Sequence, residues 1–238
     1  MHRYAEGDCA AMGRITHFVW TDIGPEDEDA FNEWYTNEHV PDRVLHIPGF
    51  LRGRRFRAAT GGPRYLAYYE MTDRDVFWSE QYVEMRGNPD PKSRYFVPKF
   101  KNALRSTATI ACQADEDEGV FLGIAGITRP GEDSGQRPVP LSDADLRRAA
   151  ADHEIPRVRL SRTDWELVNG NFERMNTLSR GAMRPPDKVP GWMLTVEGGS
   201  GAKVAECLDA LLPRFGDDAT IDAWAIMRQI SEVSAPAR

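Results

Sequence analysis

The order in which strand and helix signals follow one another restricts this fold more than any single motif, because the same alternation runs twice along the chain. Residues 15–21 are rich in β-branched and aromatic types and read as a strand. Gly24-Pro25 opens a helix, with proline tolerated at its first position. Glu26, Asp27, Glu28 and Asp29 complement the positive end of that helix's dipole. Residues 50–59 and 64–71 read as second and third strands, joined by a turn at Gly61, Gly62 and Pro63. Thr72 is the expected N-cap of a second helix in which Trp78, Tyr82 and Met85 recur at helical spacing. Asn88-Pro89-Asp90-Pro91 breaks that helix, and residues 107–113 form the fourth strand. The order is βαββαβ, the ferredoxin-like unit.

An acidic run at residues 114–119 follows, and the order begins again. Strands are expected at 120–128, within 156–168, at 192–197 and at 219–230. Ser142 caps one helix and residues 203–212 form another. The expected organisation is a flexible tail (1–13), a first unit (14–113), a linker (114–119) and a second unit (120–231). His39-Val40-Pro41 has a counterpart in His153-Glu154-Ile155-Pro156, and the same 114-residue step carries Ile110 to Trp224. The insertion between the units falls in the Pro- and Gly-rich stretch from Arg129 to Leu141. Two such α+β units packed sheet to sheet would close one barrel, a fused pseudo-dimer made by a single chain.

Chemistry concentrates in Phe31-Asn-Glu-Trp34-Tyr35-Thr-Asn-Glu-His39-Val-Pro41-Asp-Arg43. Proline lacks a donor and disfavours helix in the residue before it, so the helix is expected to stop at Pro41. Tyr35 and His39, four apart, are neighbours on its surface. Taken alone, these residues suit a helix end whose histidine packs on its own aromatics. The pattern F-x-x-W-Y-x-x-x-H-x-P-D, followed by Ile47-Pro48-Gly49-Phe50 and the strand Arg64 to Met71, resembles the dimeric α+β barrel superfamily. Within it the chain is most similar to EthD-like proteins, in detail over residues 14–114 and by layout beyond them. Fold does not fix function.

At 238 residues, 41% hydrophobic and 28% charged, the composition is that of a globular protein. No apolar run reaches the roughly 20 residues of a membrane-spanning helix, and the first residues lack the apolar core of a secretory signal. Neither a membrane nor export is expected. Three scattered cysteines argue against a disulfide framework and fit a reducing, cytoplasmic location. A net charge of −7 disfavours nucleic acid. Strand alternation divides Arg52, Arg54, Arg55 and Arg57 between two faces, where ion pairing is their expected role.

The resemblance implies proton transfer on a small apolar carbonyl or phenolic compound: isomerase, lyase or cyclase chemistry. His39 would be the acid/base and Tyr35 its partner, orienting it or donating to an oxyanion. Trp34, His17, Tyr65, Tyr68 and Tyr69 are the candidate substrate wall. His17, on the face of Ile15 and Val19, also suits a satisfied core position. Tyr65 and Tyr69 share one strand face and Tyr68 lies on the other; which one lines a pocket is open. No histidine pair has metal-ligand spacing, and no G-x-G-x-x-G or Walker sequence occurs, so no metal, haem, flavin or nucleotide cofactor is expected. Alternatives are a cofactorless quinol or polyketide monooxygenase on the same scaffold, or a non-catalytic small-molecule binder or stress protein. The second unit, with Ala149, Ala150 and Ala151 in place of the aromatics, either serves as a structural partner that lacks a site or has a roomier pocket, and the first reading is preferred. A homodimer of the fused barrel is a further arrangement open to the chain.

Overall fold

A computed structural model describes residues 14–115, 118–132, 138–170 and 185–236. The expected tail at 1–13 lies outside them. Eight strands close a barrel in the order β1-β3-β2-β8-β5-β7-β6-β4, every neighbour antiparallel. They are β1 (Ile15–Asp22), β2 (Phe50–Gly62), β3 (Tyr65–Met71), β4 (Lys101–Asp115), β5 (Phe121–Thr128), β6 (Arg157–Thr163), β7 (Trp192–Gly198) and β8 (Thr220–Ser234). Within each half the strands lie in the order fourth, first, third, second. The halves are joined by β2 against β8 and by β4 against β6.

The helices cover the outside. On the first half lie α1 (Glu28–Trp34), α2 (Val40–His46), α3 (Glu80–Gly87) and α4 (Pro91–Phe96). On the second lie α5 (Asp143–Asp152) and α7 (Gly201–Leu211), with α6 over residues 165–170 between β6 and β7. Strand alternation sorts the core into three clusters. Ile15 and Val19 meet Phe31, Trp34 and Tyr35 under the first helical layer. Phe18 and Trp20 turn inwards with Phe56, Leu66, Tyr68 and Met193 to fill the barrel. Leu146, Ala149, Val204, Cys207 and Leu208 seal the second layer. The interior of this eight-stranded barrel is therefore occupied by side chains, as its size dictates. No helix among the described residues is long and apolar enough to cross a membrane.

Four sequence expectations are corrected. The first long helix does not stop at Pro41: the turn Tyr35–His39 widens to a π-helix, with Val40 N–H donating to Tyr35 O, and α2 continues beyond it. Proline then occupies the first turn of a new α segment, where its missing N–H costs little. Thr72 caps nothing; Asp73 accepts from Asp75 N, and Ser79 caps α3 through Tyr82 N. Strand β4 begins at Lys101 rather than Thr107 and runs through Asp115, into the stretch expected as linker. The 114-residue step does not hold at the last strands, since β4 and β8 begin 119 residues apart; β1 and β5, ahead of the expected insertion, begin 106 apart. His153 is the C-cap of α5, followed by Glu154 at φ 54°, so it does not share the local geometry of His39. The capping box at Ser142 and the break before α4, where Asp90 is the cap, follow the sequence.

The arginine strand divides as alternation requires. Arg55 points to the helices. Arg54 points into the barrel, where it forms a bidentate pair with Glu197 of β7 at 2.6 and 2.9 Å. Around that pair Glu70 meets Arg52 at 2.5 Å and Arg159 at 3.5 Å, while Glu118 bonds Arg52 and Arg157. One end of the barrel is thus closed by charges drawn from both halves.

Candidate active site

Register builds the floor of the site. Across three strands, Thr107 of β4 stands opposite His17 of β1, and His17 stands opposite Tyr69 of β3. Gly53 of β2 stands opposite Tyr69. A Cβ at Gly53 would lie 2.6 Å from Val40 and 3.0 Å from Val44, so glycine lets α2 settle onto the sheet. That close approach brings the π-helical turn and Arg43 over the Thr107–His17–Tyr69 row.

Between this row and the helices lies a cavity of about 70 Å³. Tyr35, His39 and Arg43 line it from the first helix, Tyr82 and Arg86 from α3, and Arg105 from β4. Val168 and Pro186, from the β6–β7 connection, also line it, so the second half of the chain contributes to a site built on the first. His17 Nδ1 is 2.8 Å from the Thr107 hydroxyl. The His39 ring rests on Trp34 at 4.3 Å and Tyr35 at 4.5 Å between centroids, and its buried Nδ1 has no hydrogen-bond partner among the described residues. Arg43 donates to the carbonyl of His39 at 2.7 Å, which fixes one guanidinium directly beneath the turn.

Among the described lining residues the charge is one-sided. Three arginines line the cavity, and among the described residues that line it there is no carboxylate. Burial, followed by the charges of Arg43 and Arg86, holds His39 well below the ordinary histidine range. Burial, followed by Arg105 and Arg86, does the same for His17. Burial and then the neighbouring Arg86 charge bring Arg105 down to about 10. Burial, and then Tyr35, push the Tyr69 phenol up. The cavity at neutral pH therefore holds neutral imidazoles, a protonated Tyr69 phenol and guanidinium charge, a setting complementary to an anion.

A stability consequence follows for both histidines. With the folded-state pKa depressed, the folded protein stays unprotonated where the unfolded chain, with histidine near 6.5, takes up protons. Their contribution is fully present above about pH 6.5 and is lost as pH falls from there toward the folded value. We expect stability to drop between pH 6.5 and 5 with a slope of up to about 1.4 kcal/mol per pH unit for each histidine. Urea denaturation of the parent, His17→Gln and His39→Gln proteins across this window checks it. An unchanged slope in both variants would mean that neither imidazole is held neutral.

Not every expected residue reaches the cavity. His39, Tyr35, His17 and Tyr69 are brought together. Trp34 lies behind His39, stacked on Phe96 at 4.9 Å, and supports the ring rather than lining the space. Tyr65 hydrogen-bonds Glu28 and accepts from Asn32 at the far end of α1. Tyr68 is on the opposite face, inside the barrel, stacked on Phe18 at 4.6 Å beneath Arg54, with burial and then Glu70 pushing its phenol up to about 12. Arg43, Arg86, Arg105, Tyr82 and Thr107 were not among the expected site residues. Two signals pointed to them: the four-residue steps His39–Arg43 and Tyr82–Arg86, and the two-residue step Arg105–Thr107 that places both on one strand face. No cluster of three or more His, Cys, Asp or Glu side chains arranged to hold a metal ion occurs among the described residues.

No protein-family profile matches this chain, and no curated protein matches it by sequence. Solved structures do match its fold. An anthrone oxidase-like protein superposes with a TM-score of 0.56 at 8% identity, over 93% of this chain and 92% of that one. Two proteins provisionally called monooxygenases also align. The one from Lactobacillus acidophilus NCFM has a TM-score of 0.46 at 8% identity, over 93% of this chain and 96% of its own. The one from Fusobacterium nucleatum has a TM-score of 0.48 at 10% identity, over 94% and 95%. What the anthrone oxidase-like protein shares with this chain is the fold alone, the closed antiparallel barrel with its helices outside.

Proposed function

We propose that this protein is a small-molecule enzyme that moves a proton on an enolisable carbonyl or phenolic compound, with His39 as the base. The observation that carries the reading is the buried, neutral His39 imidazole, with Nδ1 unpartnered, at a cavity carrying three arginines and no lining carboxylate among the described residues. In the tautomer with its proton on Nε2, Nδ1 is an unused acceptor. It takes the proton from the substrate, and the released electron pair moves onto the substrate oxygen. Arg105 and Arg43 balance that oxyanion, and the Tyr35 hydroxyl donates to it. In an isomerisation the proton returns from His39 to a different carbon, so no oxidant is needed and His39 ends as it began. EthD-like chemistry of this kind uses side chains alone and is part of the proposal.

The scaffold half of the proposal is a fused pseudo-dimer of two ferredoxin-like units, bounded near residues 114–119. It is supported by the identical strand order in the two halves and by two helical layers with separate cores. Enclosure of His39, Tyr35, His17 and Tyr69 around one cavity favours an enzyme over a binder that leaves them exposed and apart. Cofactorless oxygenation is the second reading, brought in by the name of the anthrone oxidase-like protein of the same fold. It starts with the same proton transfer. The carbanion then reacts with O₂, and a CH₂ group becomes a carbonyl with release of one water.

Deuterium exchange tests the shared step. With a panel of small enolisable phenolic ketones in D₂O, NMR should show exchange of the activated hydrogen about 10²-fold or more above buffer for at least one compound that binds. Oxygen uptake matching product would select the second reading. Compounds that bind yet neither exchange nor turn over would end both.

A further inference from the structure

A second cavity, of about 170 Å³, lies in the helical layer above the first. Arg43, Arg86 and Val97 line both, so the two spaces share one wall. Their chemistry differs. The outer space is walled by Met85 of α3, by Pro89 in the α3–α4 connection and by Val97 and Pro98 beyond α4. Two carboxylates also border it. Asp90 spends its oxygens on the α4 cap, accepting from Lys92 N, Ser93 N and the Ser93 hydroxyl. Asp42 is half exposed, 3.8 Å from His46, on the side that faces water. Exposed Arg94 and Pro98 mark the same side, so the outer cavity borders solvent.

Size decides how the two are used. A cavity that encloses benzene measures roughly 150 Å³. The inner space, at about 70 Å³, is half of that, whereas the outer one is large enough for a ring. An aromatic molecule therefore does not fit wholly against His39. Its oxygen-bearing end does, with the ring lying past Arg43 among the methionine and prolines.

We propose that the outer cavity is a distal subsite, and that the substrate is an amphipathic molecule spanning both spaces: an oxyanionic head in the inner cavity and an apolar ring in the outer one. This rests on the oxyanion reading of the inner cavity for its head group and on the outer cavity alone for its ring. Arg43 and Arg86 stand at the junction, where they admit a negative charge to the inner space.

Three probes separate the parts: propanoate, 3-phenylpropanoate and the uncharged 3-phenylpropanamide, with affinities measured by calorimetry or ligand-observed NMR. Phenylpropanoate should bind about ten- to a hundredfold tighter than propanoate, the range expected for burying one ring. Met85→Trp, which fills the outer cavity, should remove that advantage and leave propanoate binding at the parent level. Pro89→Trp repeats the test from the loop, without altering a helix. The subsite is overturned if the ring adds nothing, or if its advantage survives both tryptophan variants. If the amide binds as tightly as the carboxylate while Met85→Trp still removes the ring's advantage, the subsite stands and the oxyanion reading of the inner cavity falls.

Discussion

Replacing Arg54 by methionine should destabilise the protein by about 3–5 kcal/mol, the cost of leaving a buried charge without its partner. Arg54 is 1% exposed and Glu197 is not exposed at all, and the guanidinium meets both carboxylate oxygens. Methionine preserves the apolar stem packed beside Phe56 and Tyr68 but offers Glu197 nothing. Arg157, 3.8 Å from Glu197, is already committed to Glu118. For a chain of this length, about 2–4 °C of Tm accompanies each kcal/mol, so the midpoint should fall by about 10 °C. The double variant Arg54→Met, Glu197→Leu removes both charges and should recover at least half of the loss, because a well-packed apolar pair often equals a buried ion pair. Urea titration of the two proteins checks this. A loss under about 1 kcal/mol in the single variant would mean that water or a shifted arginine reaches Glu197.

The same pair shows what a reader of the sequence can and cannot recover. Alternation along Arg52–Arg57 sends Arg54 and Arg55 to opposite faces, and ion pairing holds for Arg52, Arg54 and Arg57. Arg55 instead donates to Asn32 and Thr36 and lies over the rings of Phe31, Tyr35 and Tyr65. The identity of the partner is a matter of closure: Glu197 is 143 positions away in the chain and meets Arg54 only because β2 and β7 enclose the same interior. Element order was legible because strand and helix periods are local. The π-helical turn was not, since a proline after a run of helix formers reads equally as a stop or as the start of a new segment. Within the site, His39, Tyr35, His17 and Tyr69 could be named from one helix and two strand faces. No local signal says which face of β3 turns inwards, so Tyr68 falls in with them on sequence alone. Arg105 lies ahead of Thr107, where the β-rich stretch of β4 becomes recognisable, and so falls outside the strand as the sequence alone delimits it. Val168 and Pro186 carry no chemical signature at all and reach the cavity only through the tertiary path of the β6–β7 connection.

His39→Gln should lower turnover of a proton-transfer substrate by about 10²- to 10⁴-fold, or about 3–5 kcal/mol of barrier. Glutamine retains a hydrogen-bonding side chain of similar reach but has no basic nitrogen near neutrality. The His39 ring contributes packing on Trp34 and Tyr35, so some stability is lost with it. Its removal also abolishes the depressed imidazole, which offsets part of that loss at acidic pH. The Tm at pH 7 should move by a few degrees only, far less than in Arg54→Met. Substrate affinity should change little, because Arg43, Arg86 and Arg105 remain in the cavity lining. His153→Gln is the control: that residue caps α5, outside the cavity lining, and its replacement should leave both rate and affinity at the parent level. The acid limb of the rate profile should fall below pH 6.5, since burial and the surrounding arginines keep His39 unprotonated through neutrality. A His39→Gln enzyme that turns over at the parent rate would reduce His39 to packing. A rate that collapses already at pH 7 would place its pKa above the ordinary value and contradict the cationic lining.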